Sequence, residues 1–396
     1  MNKYLNIKNF CEIVYGDNGA VAYNLDKLEK YNIFSVESNI LSELQKGESI
    51  ENLSKKYDYN TLHDFISNLE KNDIGYLAPN FIPTEPVRIG NLRLGMLQKI
   101  YSLNTSYIEL PTNCNKKCSY CSTAKINGCY SCCLPQDMEN KDISFYKNLI
   151  DTLEDYNCER IIIHGGNPLN DWNFTKSVLE YIKLKQKKFS VFIITNDSFV
   201  DNKILHYLSN KKINVIINTN YCNNLDRLST IYKNYTNNNI NSIVNFNVNY
   251  KLIKNFKKEY IQLYQKYKNI IYSLYSNEEL LKINYHNDLP NNPIDVNLFN
   301  TLDQNHPCLF GKISIKSNKK VYPCIGFTNN ELIDLSQKTL EHLFFENKEL
   351  INFWTLSLNN IKGCSNCKFK KCCSDCRSFE LAAYNNVTSK LSCNVF

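Results

Sequence analysis

The stretch YIELPTNCNKKCSYC, residues 107–121, begins as an apolar β-strand and runs directly into a loop bearing Cys114, Cys118 and Cys121. Its reading decides the fold, because the same strand-then-loop pattern recurs downstream. RIIIHGG (160–166), SVFIITN (190–196), INVIINTN (213–220), SIVNFNVN (242–249) and IIYSLYSN (270–277) are further apolar runs, separated by helical stretches such as FTKSVLEYIKLKQK (174–187). Continuous apolar strands, each followed by a helix, call for parallel pairing with both faces buried. Six such repeats predict an α/β fold built on a partial (β/α)6, TIM-like barrel, and barrels of this kind carry their chemistry at the C-terminal ends of the strands.

On the N-terminal side, FCEIVYGDNGAVAYNL alternates apolar and polar residues around Asp17-Asn18-Gly19, a strong hairpin signal. SNILSELQKG, SIENLSKKY and YNTLHDFISNLEKNDIGYL follow as three helices, the last running into a short extended end. Residues 1–78 are therefore expected to form a small α+β unit, either a winged-helix-like recognition module or an extension packing on the core. APNFIPTEPVRIG (78–90) has three prolines and little periodicity, so residues 79–95 read as a linker and 96–299 as the barrel. From residue 300 to 396 the strand–helix rhythm breaks, and cysteines return at 308, 324, 364, 367, 372, 373, 376 and 393. A cysteine-dense segment with few apolar runs needs metal centres to hold it.

Length and composition agree with this division. At 396 residues the chain exceeds what one core usually organises, and 43% hydrophobic residues suffice for two or three cores. No run of 18 apolar residues and no secretory h-region is present, so a cytoplasmic protein is expected. In that reducing compartment 17 cysteines point to metal ligation or catalysis and not to disulfides. The net charge of +7 is scattered, with no basic stripe interleaved with aromatics, so neither nucleic acid nor membrane is expected as a partner.

The gaps of three and two residues let Cys114, Cys118 and Cys121 wrap one side of a cubic iron–sulfur cluster and leave its fourth iron open. Zinc is the rival, but it asks for four closed ligands or a His/carboxylate mixture, and no His lies near this loop. CxxxCxxC with Tyr120 before the last Cys, after the first barrel strand, resembles the signature of the radical SAM superfamily. The resemblance implies a [4Fe-4S] cluster on Cys114, Cys118 and Cys121 that binds S-adenosyl-L-methionine. HGGNP, residues 164–168, resembles that family's GGEP-like motif, which implies that Gly165, Gly166, Asn167 and Pro168 receive the methionine end of the cofactor. Asn167 departs from the usual Glu, and His164 reads as a core residue and not as a base. Thr195, Asn196, Asn218 and Asn220, at later strand ends, are the implied ribose and adenine contacts.

GCSNCKFKKCCSDCRSF (363–379), with Cys308, Cys324 and Cys393, resembles a SPASM domain. The resemblance implies two auxiliary [4Fe-4S] clusters, the nearer on Cys308, Cys324 and Cys376 and the outer on Cys364, Cys367, Cys373 and Cys393. Three departures stand out. Cys376 follows Cys373 after two residues and not three, with Cys372 as the competitor of Cys373; Lys319 occupies the usual turn glycine; and the nearer set is one ligand short, leaving an open iron for a substrate thiolate or closure by Cys372 or another residue.

CSNCKFKKCCSDCR and the N-terminal NFCEIVYGDNGAVAYNLDK are most similar to the grasp-with-SPASM peptide maturases. That likeness implies a ribosomally synthesised precursor peptide whose leader binds residues 1–78, an ATP-grasp ligase in the same pathway, and an electron donor such as flavodoxin or ferredoxin. The expected activity is hydrogen abstraction from the peptide, leading to a cross-link such as a thioether; modification of a folded protein and a non-catalytic iron–sulfur or zinc scaffold are the alternatives. Cys129, Cys132 and Cys133 in GCYSCC stay open between a further metal, a substrate role, a redox pair and plain loop thiols. Cys11, Cys158 and Cys222 read as small buried hydrophobes.

Overall fold

The computed structural model describes residues 3–85, 103–276 and 294–393, apart from 122, 136, 140, 187, 347 and 374. The linker from residue 86, the expected start of the barrel at 96–102 and the segment 277–293 lie outside the described residues.

The strands Thr105–Glu109, Arg160–His164, Ser190–Asn196, Asn214–Asn220, Ser242–Asn249 and Ile270–Tyr275 pair in parallel, in sequence order. Their continuous apolar character serves two cores, since alternate side chains of a strand face opposite ways. Ile161 and Ile163 pack outward with Val191, Ile193, Val215 and Ile217 against the helical layer, whereas Ile162 packs inward with Tyr107, Ile194 and Ile216. The crossover helices start where short polar side chains take orphan backbone N–H groups. Asp142 accepts from Ser144 and Phe145 at the head of Ile143–Asp155, and Asn224 accepts from Asp226 and Arg227 at the head of Leu225–Asn237.

The sheet does not stop at residue 300. Lys312–Ile315 pairs in parallel with the first barrel strand, and Lys320–Tyr322 and Ile333–Asp334 continue antiparallel beyond it. At the opposite edge Lys125–Ile126 pairs antiparallel with the end of Ile270–Tyr275, giving ten strands in one sheet among the described residues. In the turn between Lys312–Ile315 and Lys320–Tyr322, Lys319 has φ +64, the left-handed conformation that the missing glycine would adopt freely.

In the N-terminal unit the hairpin Cys11–Gly16/Gly19–Asn24 turns at Asp17-Asn18, and an unanticipated third strand, Glu29–Ile33, joins it. Helix Ser35–Leu44 begins three residues before the expected Ser38, because the Glu37 carboxylate accepts the Phe34 N–H at 3.1 Å. The expected second helix shrinks to one turn, Ile50–Leu53, and Tyr59–Lys71 runs on to a strand, Gly75–Ala78, that pairs with Tyr4–Ile7. The unit packs on the C-terminal segment: the Tyr23 hydroxyl donates to Lys368 O at 3.0 Å, and Asp17 N donates to Asn366 O at 3.2 Å. Among the described residues no helix is long and apolar enough to cross a membrane.

The C-terminal segment is held in part by buried charge. Asp375 is fully buried with Arg377 at 2.6 Å and Lys390 at 3.0 Å, and Lys390 also meets Glu380 at 2.9 Å. His306 Nε2 lies 3.1 Å from Asp375, while His306 Nδ1 accepts the N–H groups of Cys308 and Leu309 at 3.0 and 3.1 Å. Because Nδ1 accepts, the proton sits on Nε2, so the aspartate holds a neutral imidazole that in turn fixes the backbone of Cys308. Burial alone would raise the Asp375 pKa, but Lys390, His306 and Arg377 outweigh it and hold the carboxyl well below the ordinary range.

Replacing Asp375 by Ala leaves the buried Arg377 and Lys390 to share Glu380 alone and should cost about 3 kcal/mol, measured by denaturant unfolding of the apoprotein. A carboxyl depressed in the folded state contributes stability above its unfolded pKa of about 4 and loses it as pH falls further. The wild type should therefore destabilise steeply below about pH 4, and Asp375→Asn should flatten that limb.

Candidate active site

The loop leaving the first strand is clamped to the end of the second. Leu110 N donates to His164 O at 2.7 Å, Asn167 N to Asn113 O at 3.2 Å, and the Thr112 hydroxyl to Gly165 O. Gly165 and Gly166 have φ of +109 and +56, and a Cβ on either would come within 2.1 Å of Leu110 O or Thr112 O. Their bareness thus serves close approach to the chain's own cysteine loop. That loop presents Cys114, Cys118 and Cys121 half-buried, with Cys121 N donating to Cys118 O at 3.1 Å. Burial is the first cause that lifts the Cys118 thiol, and Cys114 and Cys121 add to it, so Cys118 stands in the field of both neighbours.

The neighbouring strand ends brace this loop. Asn196 Nδ2 donates to Cys114 Sγ at 3.5 Å, and Asn167 Oδ1 accepts the Thr195 hydroxyl at 2.8 Å. Pro168 opens a short 3-10 turn and is buried, its carbonyl accepting from Thr175 at 2.7 Å. Asn220 Nδ2 donates to Ser119 at 3.3 Å and to the Tyr275 hydroxyl at 3.1 Å. Asn218 is occupied differently: it donates to Tyr130 O at 2.8 Å and accepts from Cys132 N, Asn245 and Asn247. Its polar atoms therefore hold the loop that follows the cysteine triplet. Tyr120 is buried, its ring against Tyr275 and its hydroxyl 3.9 Å from Cys132 Sγ. Asp197, which the sequence did not single out, meets Lys116 at 2.9 Å, Thr219 at 2.8 Å and Asn223 at 3.0 Å; its only sequence signal is its place right after the third strand.

The C-terminal cysteines divide in two. Cys364, Cys367 and Cys373 perturb one another, and Cys393 perturbs Cys367. Cys372 has its sulfur 3.4 Å from the Tyr23 hydroxyl, in a cluster with Val14, Val21 and Leu25 of the N-terminal unit, while still lying in the field of Cys367. Cys308, Cys324 and Cys376 gather at the ends of the first strand and its new neighbour. Gly326 N donates to Cys324 Sγ at 3.4 Å, Lys312 Nζ lies 4.0 Å from Cys308 Sγ, and Cys308 perturbs Cys376. Of the cysteines read as buried hydrophobes, Cys11 and Cys158 are buried, but Cys222 is exposed, because it follows the fourth strand in a turn.

A buried polar group joins the two sites. Glu109 accepts from Ser317 N and Oγ at 3.1 and 2.9 Å and faces Lys316 at 3.4 Å. Cys133 Sγ lies 4.0 Å from Glu109 and 3.6 Å from His164 Nδ1. The three ligand-type atoms are close enough to share an ion. The lysine already supplies the balancing cation, and burial, followed by that lysine, holds the His164 pKa down at about 3, so the imidazole is neutral. A cavity of about 500 Å³ extends from Cys121 past Lys125, Cys133 and Lys316 to Gly326 and Ser378, beside Cys324 and Cys376. Its size suits a small ligand or a peptide side chain.

The radical SAM superfamily model matches residues 108–275. No curated protein sequence matches the chain. Among solved structures, anSMEcpe with bound AdoMet superposes with a TM-score of 0.52 at 17% identity, over 72% of this chain and 92% of that one. SuiB of Streptococcus suis bound to S-adenosylmethionine gives 0.50 at 14% identity, over 99% and 100%. anSMEcpe with AdoMet and the Cp18Cys peptide gives 0.51 at 18% identity, over 73% and 93%. At these identities the structural likeness speaks for the fold alone. With the strand order and the family match together, residues 108–275 form a radical SAM domain within a mixed α/β chain.

Proposed function

We propose that the protein is a radical SAM peptide maturase acting on a ribosomally synthesised precursor peptide. The observation that carries this reading is the cavity bounded by Cys121 at one end and by the Cys324 and Cys376 surroundings at the other. Three thiols on one half-buried loop, Cys118 in the field of the other two and no imidazole among them, suit an iron–sulfur cluster better than zinc. When bound there, the cluster and S-adenosylmethionine supply reductive cleavage to a 5′-deoxyadenosyl radical that takes a hydrogen from substrate.

The chain's own residues bind, orient and exclude water. Cys114, Cys118 and Cys121 hold the cluster, and the backbone of Gly165–Pro168 receives the methionine end. Thr195, Asn196 and Asn220 orient the nucleoside, and Asn218 acts through the Tyr130–Cys132 loop it holds. Lys125 and Lys316 line the cavity and confer polarity where the peptide enters. Cys308, Cys324 and Cys376 hold the nearer auxiliary cluster, and Cys364, Cys367, Cys373 and Cys393 the outer one; Cys372 is left to the N-terminal contact.

Peptide substrate is supported by the Cp18Cys peptide bound in the similarly folded anSMEcpe. Residues 1–78 are the leader-binding module in this account. The strand Glu29–Ile33 pairs on one side only among the described residues, so a leader segment adds to it as a further strand. A groove of about 410 Å³ beside it, lined in part by Tyr31, Asn72 and Ile74, receives leader side chains. The likeness of CSNCKFKKCCSDCR to grasp-with-SPASM maturases supports an ATP-grasp ligase as pathway partner, a flavodoxin or ferredoxin as electron donor, and a thioether or similar cross-link as product.

Anaerobic reconstitution should yield about twelve irons per chain, and strong reductant should release 5′-deoxyadenosine from S-adenosylmethionine. A variant with Cys114, Cys118 and Cys121 all replaced by Ala should lose about four irons and all cleavage. Bound zinc with no cleavage in the wild type would overturn the enzyme reading and leave a binding scaffold.

A further inference from the structure

Cys129 is left over by the functional reading, yet its position is closely specified. It sits in the turn Gly128–Tyr130, and that turn is tied to three barrel strands. Asn218 Nδ2 donates to Tyr130 O at 2.8 Å, the Ser131 hydroxyl donates to Asn247 Oδ1 at 2.7 Å, and the Ser273 hydroxyl donates to Asn127 O at 3.0 Å. The turn thereby brings Cys129 Sγ to 3.6 Å from Cys308 Sγ, and Cys324 is also within hydrogen-bonding reach of it. Cys376 completes the group: it lies in the field of Cys308, and its Sγ is 3.8 Å from Lys125 O, in the segment leading to Cys129.

An independent observation points to a ligand among these sulfurs. The Tyr107 hydroxyl is buried without a hydrogen-bond partner among the described residues, in the field of Cys129, Cys324 and Cys308. Leaving such a hydroxyl unsatisfied is destabilising, and a sulfur acceptor between these cysteines would satisfy it. The Lys312 ammonium beside Cys308 supplies positive charge next to the same group.

We infer that Cys129 is the fourth protein ligand of the auxiliary cluster nearest the barrel, closing it together with Cys308, Cys324 and Cys376. The inference rests on the reading that those three cysteines hold a cluster. Four thiolates take one iron each, so no iron of this centre stays open for a substrate thiolate. The centre passes electrons and does not anchor the peptide. On binding, each thiol gives its proton to solvent, and no electron moves. The ligand comes from the radical SAM domain, 179 residues before its nearest partner in space, so the two halves of the site assemble only when the C-terminal strand docks.

The test uses full-length protein in which Cys114, Cys118 and Cys121 are replaced by Ala, so that only auxiliary centres remain. Iron content and the electron paramagnetic resonance of the reduced protein are measured with and without 2-mercaptoethanol as probe thiol. The background should hold about eight irons and ignore the probe. Adding Cys129→Ala should make one auxiliary signal shift with the probe and release one iron on mild oxidation. Cys129→Ser, which keeps a weaker oxygen ligand, should retain the iron and shift that centre's midpoint potential. A background signal that already responds to the probe, or variants identical to the background, would overturn the inference. So would a Cys129–Cys308 disulfide found by peptide mapping of the iron-loaded protein. A background with only about four irons would mark the failure of the two-cluster reading itself, and this inference with it.

Discussion

The structure depends on the parallel pairing of Lys312–Ile315 with Thr105–Glu109. That contact makes the C-terminal segment part of the barrel sheet: Cys114 follows the C-terminal end of Thr105–Glu109, whereas Cys308 precedes the N-terminal end of its new neighbour. Thr105–Glu109 serves both. Ile108 packs outward with the helices, Tyr107 packs inward toward Cys324, and Glu109 binds Ser317 and Lys316 from the added strand's loop. The loop that follows carries Cys114. A five-residue strand thus sets the spacing between the Cys114–Cys121 loop and the group that holds Cys308 and Cys324.

Buried charge secures the arrangement. Glu109 with Lys316, and Asp375 with Arg377 and Lys390, are ion pairs with almost no exposure to water. Such pairs add little net stability, because desolvation consumes the Coulombic gain. What they enforce is alignment, since any displacement leaves a bare charge in a low dielectric. Asp375 acts on Cys308 through His306, and the chain that supplies Asp375 and Arg377 also supplies Cys376 between them. Fixing the cysteines by buried pairs suits a segment whose apolar core is thin.

Much of the fold was legible. The six barrel strands stand out because a strand buried on both faces must be apolar throughout, and Ser190–Asn196 and Ser242–Asn249 match their sequence signals end to end. Asp17-Asn18-Gly19 marked its hairpin because only a tight turn with a left-handed residue fits there. Local spacing also exposed Cys114, Cys118 and Cys121. What escaped is non-local or too short to show a period. Lys312–Ile315 is four residues long, and its strand character comes from its partner. Glu29–Ile33 is polar because it is an edge. No spacing rule could join Cys129 to Cys308, and Cys372 differs from Cys373 only by which way one residue of backbone turns it, toward Tyr23 or toward Cys364.

The measurement that bears most directly on the central claim is an anomalous-scattering map at the iron edge, from crystals of the anaerobically reconstituted protein. The account predicts three iron peaks: one inside the Cys114–Cys121 loop, one between Cys308, Cys324 and Cys376 across the cavity from it, and one among Cys364, Cys367, Cys373 and Cys393. A map with no iron at the loop, or with the second peak on the far side of the sheet from the cavity, would contradict it.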